Sequence, residues 1–420
     1  MPRPARVHSP RGGVVTLRRK LGIVFLVYVI EGAPAGVFHD LLPIYLRSEG
    51  VGLREIGWVA GLSAAWSLKA LWSPLVDRYG ELRRWIAGCL VAMSACLLVL
   101  ASGGVATLGV ALWIALAALC IASATQDVAI DAYTIGLVDR GEEGPTNSVR
   151  AAAYRAGVLG AGAGLLLLAD PIGWPATFAV AALLWMFLAA SLAACPALPV
   201  PEALRRDLWG SLRRWVARPS AAGAFLFVLL YRVGDRAMGP MVKPFWLDRG
   251  FSNAEIASVS IGIGAFATVA GAVLGGIVVS RIGILRALFA LGFLALASNL
   301  GYAAAATWPE SGSAGVYAAS VLESFCSGLA TAAFLSFLMR ICDKQHAAVQ
   351  YAVAYAMASI AGALVSIPSG QLTEWLGYGA YFALSACFGL PAFAFLPAAR
   401  RWIGAAGEPG ADPVKDPLSA

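Results

Sequence analysis

Charged residues are scarce in this chain. They make up 13% of its 420 residues, against 59% hydrophobic residues, whereas about a quarter of a typical soluble domain is charged. Because a water-exposed surface needs more charge than this, we expect much of the surface to face lipid. Apolar stretches of 16–26 residues recur along the chain, long enough to cross the hydrocarbon core as helices. The composition therefore predicts a polytopic, all-α integral membrane protein.

Several other features are missing. No hydrophilic stretch is long enough for a folded soluble domain, which argues against a receptor or scaffold with a signalling part. No GxxxxGK[ST] sequence occurs, which excludes nucleotide hydrolysis by a P-loop. The seven cysteines lie in or beside apolar spans without metal-type spacing, so we interpret them as packing residues. Since no nucleophile–base cluster stands out either, we expect no enzyme activity, cofactor, metal or nucleic-acid partner.

The apolar runs predict about twelve spans. We place them at 21–46, 56–74, 85–102, 108–135, 149–169, 174–194, 221–246, 254–279, 285–306, 314–339, 349–368 and 376–397. Lysine and arginine alternate between the connections, with 23 on one side and four on the other, Arg47, Arg54, Lys243 and Arg249. The positive-inside rule then predicts a cytoplasmic (inner) membrane protein with both termini in the cytoplasm.

The second half of the chain repeats the first at an offset of 200–204 residues. Residues 43–46 (PIYL) match 244–247 (PFWL), and 74–80 (PLVDRYG) match 277–283 (IVVSRIG). Six spans in each repeat make the halves parallel, which resembles the major facilitator fold. We therefore predict two six-helix halves, a basic cytoplasmic linker and a cytoplasmic tail, at 1–194, 221–398, 195–220 and 399–420 respectively.

Ionisable residues inside spans are costly in hydrocarbon and normally face a cavity or a partner. In the fourth span, Asp127 and Asp131 are four residues apart and therefore share one helical face. Two carboxylates this close can share a proton, and Arg155 in the fifth span could neutralise one of them. The alternative is a structural Asp–Arg clasp near the cytoplasmic helix ends.

Two further carboxylates stand alone inside spans. Glu31 precedes a Gly/Pro-rich run in the first span, and Glu323 lies in the tenth. Interrupted helices mark binding regions in transporters, which makes Glu31 a candidate for the substrate or proton pathway. Glu323, as the second lone carboxylate inside a span, is a candidate proton carrier. Among the aromatic residues, we expect Tyr28, Tyr231 and Trp246 to face the cavity.

The seventh span carries a pair of arginines. Arg232 and Arg236 share a face, and Asp235 can pair with Arg232 at a spacing of three. Two guanidinium groups that face a cavity suit a carboxylate or phosphate of a solute. His39 and Asp40, near the outer end of the first span, are interpreted as a polar pair at the mouth, with a proton relay as the alternative.

The loop between the second and third spans, residues 73–84 (SPLVDRYGELRR), is short and basic. We predict that Asp77, Arg78 and Arg83 latch neighbouring helix ends and release them as the halves move. Arg281 stands in the matching loop of the second half, where a serine replaces the carboxylate. Lys69 belongs to the same predicted latch or extends to the cytoplasmic edge. The alternative is a plain positive-inside loop.

Three runs, 67–78 (SLKALWSPLVDR), 124–133 (ATQDVAIDAY) and 154–157 (YRAG), resemble the AmpG-like permeases of the major facilitator superfamily. The resemblance implies a proton-driven importer whose central cavity, between two halves, opens alternately to each side. The family residues that it carries over are Lys69, Asp77, Arg78, Gln126, Asp127, Asp131, Tyr154 and Arg155.

We therefore expect a proton-coupled secondary transporter that imports a polar or anionic solute, muropeptide-like or siderophore-like, by alternating access. Its partners would be the solute, protons and the lipid bilayer, and it would function as a monomer. The alternative is proton-antiport efflux of amphiphilic compounds on the same fold. Only the family resemblance separates the two directions.

Overall fold

The computed structural model describes residues 16–78, 81–102, 109–139, 142–198, 213, 215–218, 220–342 and 347–406. Nearly all of these residues are helical, and none of them lies in a strand. Helices satisfy their own backbone hydrogen bonds, which lipid cannot do for them. The predicted all-α class is confirmed.

The first six spans occupy the first half of the chain. The second span is broken into short pieces that include a 3-10 turn, and the fifth and sixth are joined without a loop at Gly173. The spans are α1 (Leu17–Ser48), α2 (Leu53–Gly61, Ala64–Leu68, Lys69–Leu71 and Ser73–Arg78), α3 (Leu82–Ala101), α4 (Val110–Leu137), α5 (143–172) and α6 (174–191).

The second six spans follow the same plan, and a short helix, α13 (Leu396–Ala406), comes after them. They are α7 (Ala221–Leu230 and Val233–Asp248), α8 (Asn253–Ile282), α9 (Ile284–Thr307), α10 (Gly312–Ile341), α11 (Ala347–Ser366 and 369–376) and α12 (378–388 and Leu390–Ala394). Among the described residues, eight helical segments are long and apolar enough to cross a bilayer, and one of these, Pro145–Ala194, covers most of α5 and all of α6. The interrupted spans α2, α7 and α11 complete the predicted twelve.

Glycines with positive φ mark the repeat in the backbone. Gly173 (φ 77°, ψ 162°) and Gly377 (φ 77°, ψ 161°) separate two spans in the same way. Gly50 and Gly250, with φ of 82° and 80°, follow the ends of α1 and α7. Glycine is the residue that adopts these angles without strain. The two pairs are 204 and 200 residues apart, the limits of the offset in the sequence repeat.

Contacts divide the chain into two compact units. The first comprises Met1–Leu204, Met238–Ala265 and Ala363–Tyr378, and the second comprises Arg205–Ala237, Phe266–Gly362 and Gly379–Ala420. Each is described separately below. The predicted boundaries between the halves, which follow the sequence repeat, remain a prediction.

In the first unit, α1 and α5 pack through glycines. A Cβ atom built on Gly157 would lie 3.0 Å from the carbonyl carbon of Val29 and 3.1 Å from the nitrogen of Ala33. A Cβ on Gly32 would meet the backbone of Tyr154 in the same way. The two backbones are therefore in direct contact, and these glycines set the distance between α1 and α5.

The core of the second unit contains two tryptophans from segments predicted to be the cytoplasmic linker and tail. Trp215 and Trp402 are fully buried, with ring centroids 5.4 Å apart. The indole nitrogen of Trp215 donates a hydrogen bond to the Ile341 carbonyl at 3.0 Å. The described parts of both segments thus contribute to the packing of this unit.

Candidate functional site

The broken helix α2 is attached to α4 by side chains. The 3-10 turn at Lys69–Leu71 interrupts α2 at the level of the aspartate motif. Three hydrogen bonds connect the two helices: Trp66 Nε1 to Ser123 Oγ at 3.2 Å, Lys69 Nζ to Asp127 Oδ2 at 3.2 Å, and Trp72 Nε1 to Thr125 Oγ1 at 3.0 Å. The motifs at 67–78 and 124–133, which lie in separate spans, are therefore joined by side-chain hydrogen bonds.

Each aspartate of α4 has its own cation. Lys69 pairs with Asp127, whereas Asp131 accepts a hydrogen bond from Arg150 at 2.8 Å. The Tyr28 hydroxyl donates to the same oxygen of Asp131 at 2.9 Å, and the guanidinium of Arg150 lies 4.6 Å from the centre of the Tyr28 ring. Tyr28, predicted to face the cavity, is thus a neighbour of the aspartates.

Glu31 joins this cluster without a cation of its own. Its Oε2 atom is enclosed and accepts no hydrogen bond from the described residues. The charged groups that act on it are the two aspartates together with Lys69 and Arg150. The cluster therefore holds three carboxyl groups and two cations. One bound proton makes it neutral, and neutrality matters here because an uncompensated charge away from water is costly.

Arg155, predicted as a cation that could neutralise one of these aspartates, pairs with neither of them among the described residues. Its side chain is exposed, and its charge acts on Asp40 instead. Arg150, which sequence analysis counted among the loop charges, takes the place instead. The physical reason is the distance of each residue from the connection between α4 and α5. Because the two helices are antiparallel neighbours, residues equally far from that connection meet. Asp131 lies six residues before the end of α4, and Arg150 lies seven residues after the start of α5.

Another ion pair of the first unit joins the buried Lys243 to the half-buried Asp40. Lys243 Nζ of α7 is 3.5 Å from Asp40 Oδ1 of α1 and donates to Ser260 Oγ of α8 at 2.8 Å. A Cβ atom on Gly162 of α5 would come within 3.0 Å of the Asp40 side chain, so glycine leaves room for it. The charge pattern of the sequence places Lys243 in an outer connection, and it does not predict this pair. His39 packs beside it against Phe38, with ring centroids 5.1 Å apart.

At the ends of α1 and α7, Arg47 holds Asp248 with two hydrogen bonds of 2.7 Å each. The Tyr378 hydroxyl donates to the same carboxylate at 2.7 Å. Because Arg47 and Tyr378 both donate to the Asp248 carboxylate, the ends of α1 and α7 and the start of α12 are held together.

In the second unit, the predicted pair of Arg232 and Asp235 is confirmed, with a separation of 3.3 Å. Arg232 also donates to the Ser327 carbonyl and hydroxyl, each at 3.0 Å. Arg236 lines the same cavity as Arg232, as their shared helical face predicts. Glu323 is half-buried in α10.

Two aromatic residues predicted to face the cavity do not do so. The Tyr231 ring stacks on Phe334 at 5.5 Å within the apolar core, and its hydroxyl donates to the Leu288 carbonyl at 3.0 Å. Trp246 is fully buried, with its ring 4.7 Å from that of Phe251. A ring enclosed by apolar side chains offers no face to a solute, so both are packing residues.

Only part of the predicted latch lies among the described side chains. The side chains of Asp77 and Arg78 lie outside the described residues. Arg83 pairs with Glu81 and donates to the carbonyls of Ala193 at 3.1 Å and Cys195 at 2.9 Å. It thus contacts the residues just after α6, which sequence analysis did not predict, and Arg281 is exposed in the last turn of α8. Within the described residues, no cluster of His, Cys, Asp or Glu could hold a metal ion.

Comparison with known proteins agrees with this architecture. The sequence profile of the Major Facilitator Superfamily matches residues 24–366. The chain is 31% identical to the anhydromuropeptide permease of Escherichia coli (strain K12), over 91% of this chain and 80% of that protein. It is 26% identical to the putative transporter AmpG 4 of Rickettsia conorii (strain ATCC VR-613 / Malish 7), over 89% of this chain and 94% of that protein.

Solved structures show the same fold at low sequence identity. A bacterial homolog of the human lysosomal transporter Spinster, inward-facing and unoccupied, matches with a TM-score of 0.75 and 14% identity, over 94% of this chain and 99% of that one. The nucleoside transporter NupG matches with a TM-score of 0.69 and 16% identity, over 91% and 99%.

The chain therefore belongs to the Major Facilitator Superfamily and, within it, to the AmpG-like permeases. It is a multi-pass membrane protein and a secondary transporter rather than an enzyme.

Proposed function

We propose that this transporter imports a polar or anionic solute together with protons, and that Glu31, Asp127 and Asp131 carry the protons. The supporting observation is the charge count of their cluster: three carboxyl groups face two cations, and the Glu31 Oε2 atom is enclosed without a hydrogen-bond partner among the described residues. A single proton balances the cluster, which is the property that a proton carrier inside a membrane needs.

The attachment of α2 to α4 provides a route from proton binding to helix movement. Lys69 lies in the 3-10 turn of α2 and is bonded to Asp127. When Asp127 takes up a proton, this charge-assisted hydrogen bond loses most of its strength. The broken part of α2 then moves relative to α4, so the charge of the cluster and the position of α2 are coupled.

The arginines of the second unit are the proposed holders of the solute anion, and Glu323 is a second candidate proton carrier. The Escherichia coli relative is a permease for anhydromuropeptide, which makes a muropeptide-like solute the first candidate and a siderophore-like solute the second. The large excess of basic residues in the connections on one side of the membrane, which persists when Arg150 and Lys243 are left out, supports cytoplasmic termini. With both termini in the cytoplasm, the two repeats at 1–194 and 221–398 would move relative to each other in each transport cycle.

The test is uptake into proteoliposomes that contain the full-length chain. An anhydromuropeptide and a ferric hydroxamate siderophore are supplied outside, with and without an acid-outside pH step, and a trapped dye reports the internal pH. We expect the wild type to accumulate one of these solutes only with the step and to acidify the interior. Glu31→Gln and Asp127→Asn should remove the pH-driven accumulation, whereas the exposed Glu310→Gln should not.

Equal accumulation with and without the pH step would overturn proton coupling. Accumulation driven by the reversed step would instead establish proton antiport and hence efflux. Normal pH-driven uptake by both carboxyl variants would remove the cluster from the proton pathway.

A further inference from the structure

A cavity in the second unit shares no lining residue with the carboxylate cluster of the first. It has a volume of about 320 Å³ and lies between the start of the second segment of α7, α10 and α11, at the low end of the volumes of small-molecule sites in proteins. The side chains that decide its chemistry are those of Arg232, Arg236, Thr331, Leu335, Tyr351 and Tyr355. Its size suits one ring with one or two substituents.

The cavity occupies, in the second repeat, the place that the carboxylates occupy in the first. Arg232 follows Glu31 by 201 residues, the offset that relates 43–46 to 244–247. The helices α4 and α10 end at Leu137 and Ile341, 204 residues apart. At that same offset Asp127 and Asp131 correspond to Thr331 and Leu335, which line the cavity. The second repeat thus has a site at the equivalent position, with different chemistry.

The charge of the lining favours an anion. Among the described residues that line the cavity, two are arginines and none carries a negative charge. The Arg232 guanidinium is held by Ser327 and by Asp235 just outside the lining. Arg236 follows one turn later, and its stem lies against Gly362, where a Cβ atom would come within 2.9 Å of Arg236 Cγ. Both guanidinium groups are therefore positioned, and a planar fork of this kind matches an acidic group.

The opposite wall of the cavity is aromatic. Tyr351 and Tyr355 are one turn apart on α11, and their rings are nearly parallel, at 11°, with centroids 6.3 Å apart. The Tyr355 side chain remains 44% exposed although it lies within a span. Its ring is therefore available for stacking against a planar group, which aromatic side chains favour in offset geometry.

We propose that this cavity binds an anionic solute whose acidic group is attached to a planar ring, with the acid on Arg236 and the ring on Tyr355. Neither a muropeptide nor a hydroxamate siderophore carries an acid on a planar ring, so the cavity would take a third class of solute. Its part in transport rests on the proposed function, whereas binding itself does not. The Arg232 guanidinium, held by Asp235 and Ser327, contacts the same acidic group and orients it. Gly362 is a positioning residue, because it leaves the space in which the Arg236 stem lies.

The experiment measures equilibrium binding of radiolabelled 4-hydroxybenzoate to the full-length protein in nanodiscs, without any pH gradient, and subtracts binding to empty nanodiscs. We expect competition by benzoate, weaker competition by cyclohexanecarboxylate, which keeps the charge without the planar ring, and none by 4-hydroxybenzamide, which keeps the ring without the charge. Arg236→Gln should weaken binding about tenfold or more. Tyr355→Leu should weaken it about fivefold, and Tyr355→Phe should leave it unchanged.

Gly362→Ala tests the position of Arg236 without removing its charge, and it should weaken binding as Arg236→Gln does. The exposed Arg286→Gln, in the same unit, is the charge control and should bind normally. Elution volume and thermal midpoint establish that each variant is folded. Absence of binding to the wild type at millimolar ligand, equal competition by all three competitors, or wild-type binding by both Arg236→Gln and Tyr355→Leu would each overturn the proposal.

The outcome is distinguishable from failure of the proposed function. Loss of proton coupling with intact 4-hydroxybenzoate binding contradicts the proton mechanism alone. Proton-driven uptake that is unaffected by Arg236→Gln and Tyr355→Leu, together with wild-type binding, contradicts the cavity alone.

Discussion

The carboxylate cluster of the first unit and the arginine cavity of the second are built on corresponding helices but carry opposite charge. Glu31 corresponds to Arg232, and the two aspartates of α4 correspond to a threonine and a leucine of α10. On the proposed function, the carboxylate cluster of the first repeat would bind protons and the arginine cavity of the second would bind the anionic solute, with Glu323 as a second candidate proton carrier there. A symmetric scaffold would then place the two tasks mainly in different halves by changing a few side chains.

The two regions also differ in the charged groups that they contain. In the carboxylate cluster of the first unit, Lys69 and Arg150 each bind one aspartate, and Glu31 has no cation of its own among the described residues. In the second unit, Asp235 engages Arg232 from outside the cavity, and the charged side chains among the described lining residues are arginines. We expect variants in the first region to alter proton coupling and variants in the second to alter solute affinity.

The largest expected effect is that of Lys69→Met. It leaves Asp127 without its cation in a partly buried site, which costs about 3 kcal/mol, and we expect pH-driven uptake to fall about 100-fold. The double variant Lys69→Met with Asp127→Asn restores the charge balance, so its thermal midpoint should return toward that of the wild type while uptake stays uncoupled from the pH step. Normal pH-driven uptake by Lys69→Met would contradict the expectation that variants of the carboxylate cluster alter proton coupling.

Removal of Lys243 should lower stability next most strongly. Lys243→Met leaves the half-buried Asp40 without its ion-pair partner on α7, which we expect to lower the free energy of unfolding by up to about 3 kcal/mol, seen as a lower midpoint in a thermal scan. Asp40→Asn combined with Lys243→Met should recover part of the loss. The control is Arg84→Gln, at an exposed pair with Glu81, which should change stability by less than about 0.5 kcal/mol. Equal effects of the two variants would contradict a structural role for the Asp40 pair.

Arg232→Gln repeats the Lys69 experiment in the second unit. It removes charged hydrogen bonds to Ser327 and the ion pair with Asp235, each contact worth about 1.5–3 kcal/mol at most. We expect a lower thermal midpoint and weaker 4-hydroxybenzoate binding. Any solute uptake that the variant retains should still depend on the pH step. Loss of the pH dependence in this variant would show that the two regions do not divide the tasks.

Gly157→Ala probes the packing that holds the first region together. Its Cβ atom would collide with the backbone of Val29, so α1 and α5 must move apart at a cost of about 1–3 kcal/mol. Gly160→Ala on the same helix is the control, because its Cβ atom would meet nothing within 4 Å. Thermal midpoints should separate the two variants, and 4-hydroxybenzoate binding should be equal in both. Equal midpoints would show that the α1–α5 distance is not set by glycine.

Much of the architecture was predictable because the signals for it are local. Apolar length predicts spans, glycine and proline predict breaks, and a spacing of four predicts that Asp127 and Asp131 share a face. The pair of Arg232 and Asp235 belongs to the same class, since both residues lie within one helical turn. These predictions need no knowledge of which helix lies beside which.

The partners of the aspartates were not predictable in the same way. Lys69 reaches Asp127 because a 3-10 turn breaks α2 at that point, and Arg150 reaches Asp131 because α4 and α5 are antiparallel neighbours. Equal distances from the short connection at 138–142 favour Arg150, whereas the motif at 154–157 favours Arg155. No pattern in the sequence indicated that Lys243 would lie beside Asp40.

The sequence by itself determined the membrane class, the twelve spans, the twofold repeat and the residues that carry charge into the spans, because hydrophobic length and helical periodicity are properties of single segments. Only the tertiary structure decided which cation neutralises which carboxylate, which tyrosines line a cavity and which are packed, and that Glu31 is left with an enclosed, unpartnered oxygen. Those outcomes depend on the depth and rotation of one helix against another, and packing of side chains from distant segments sets both.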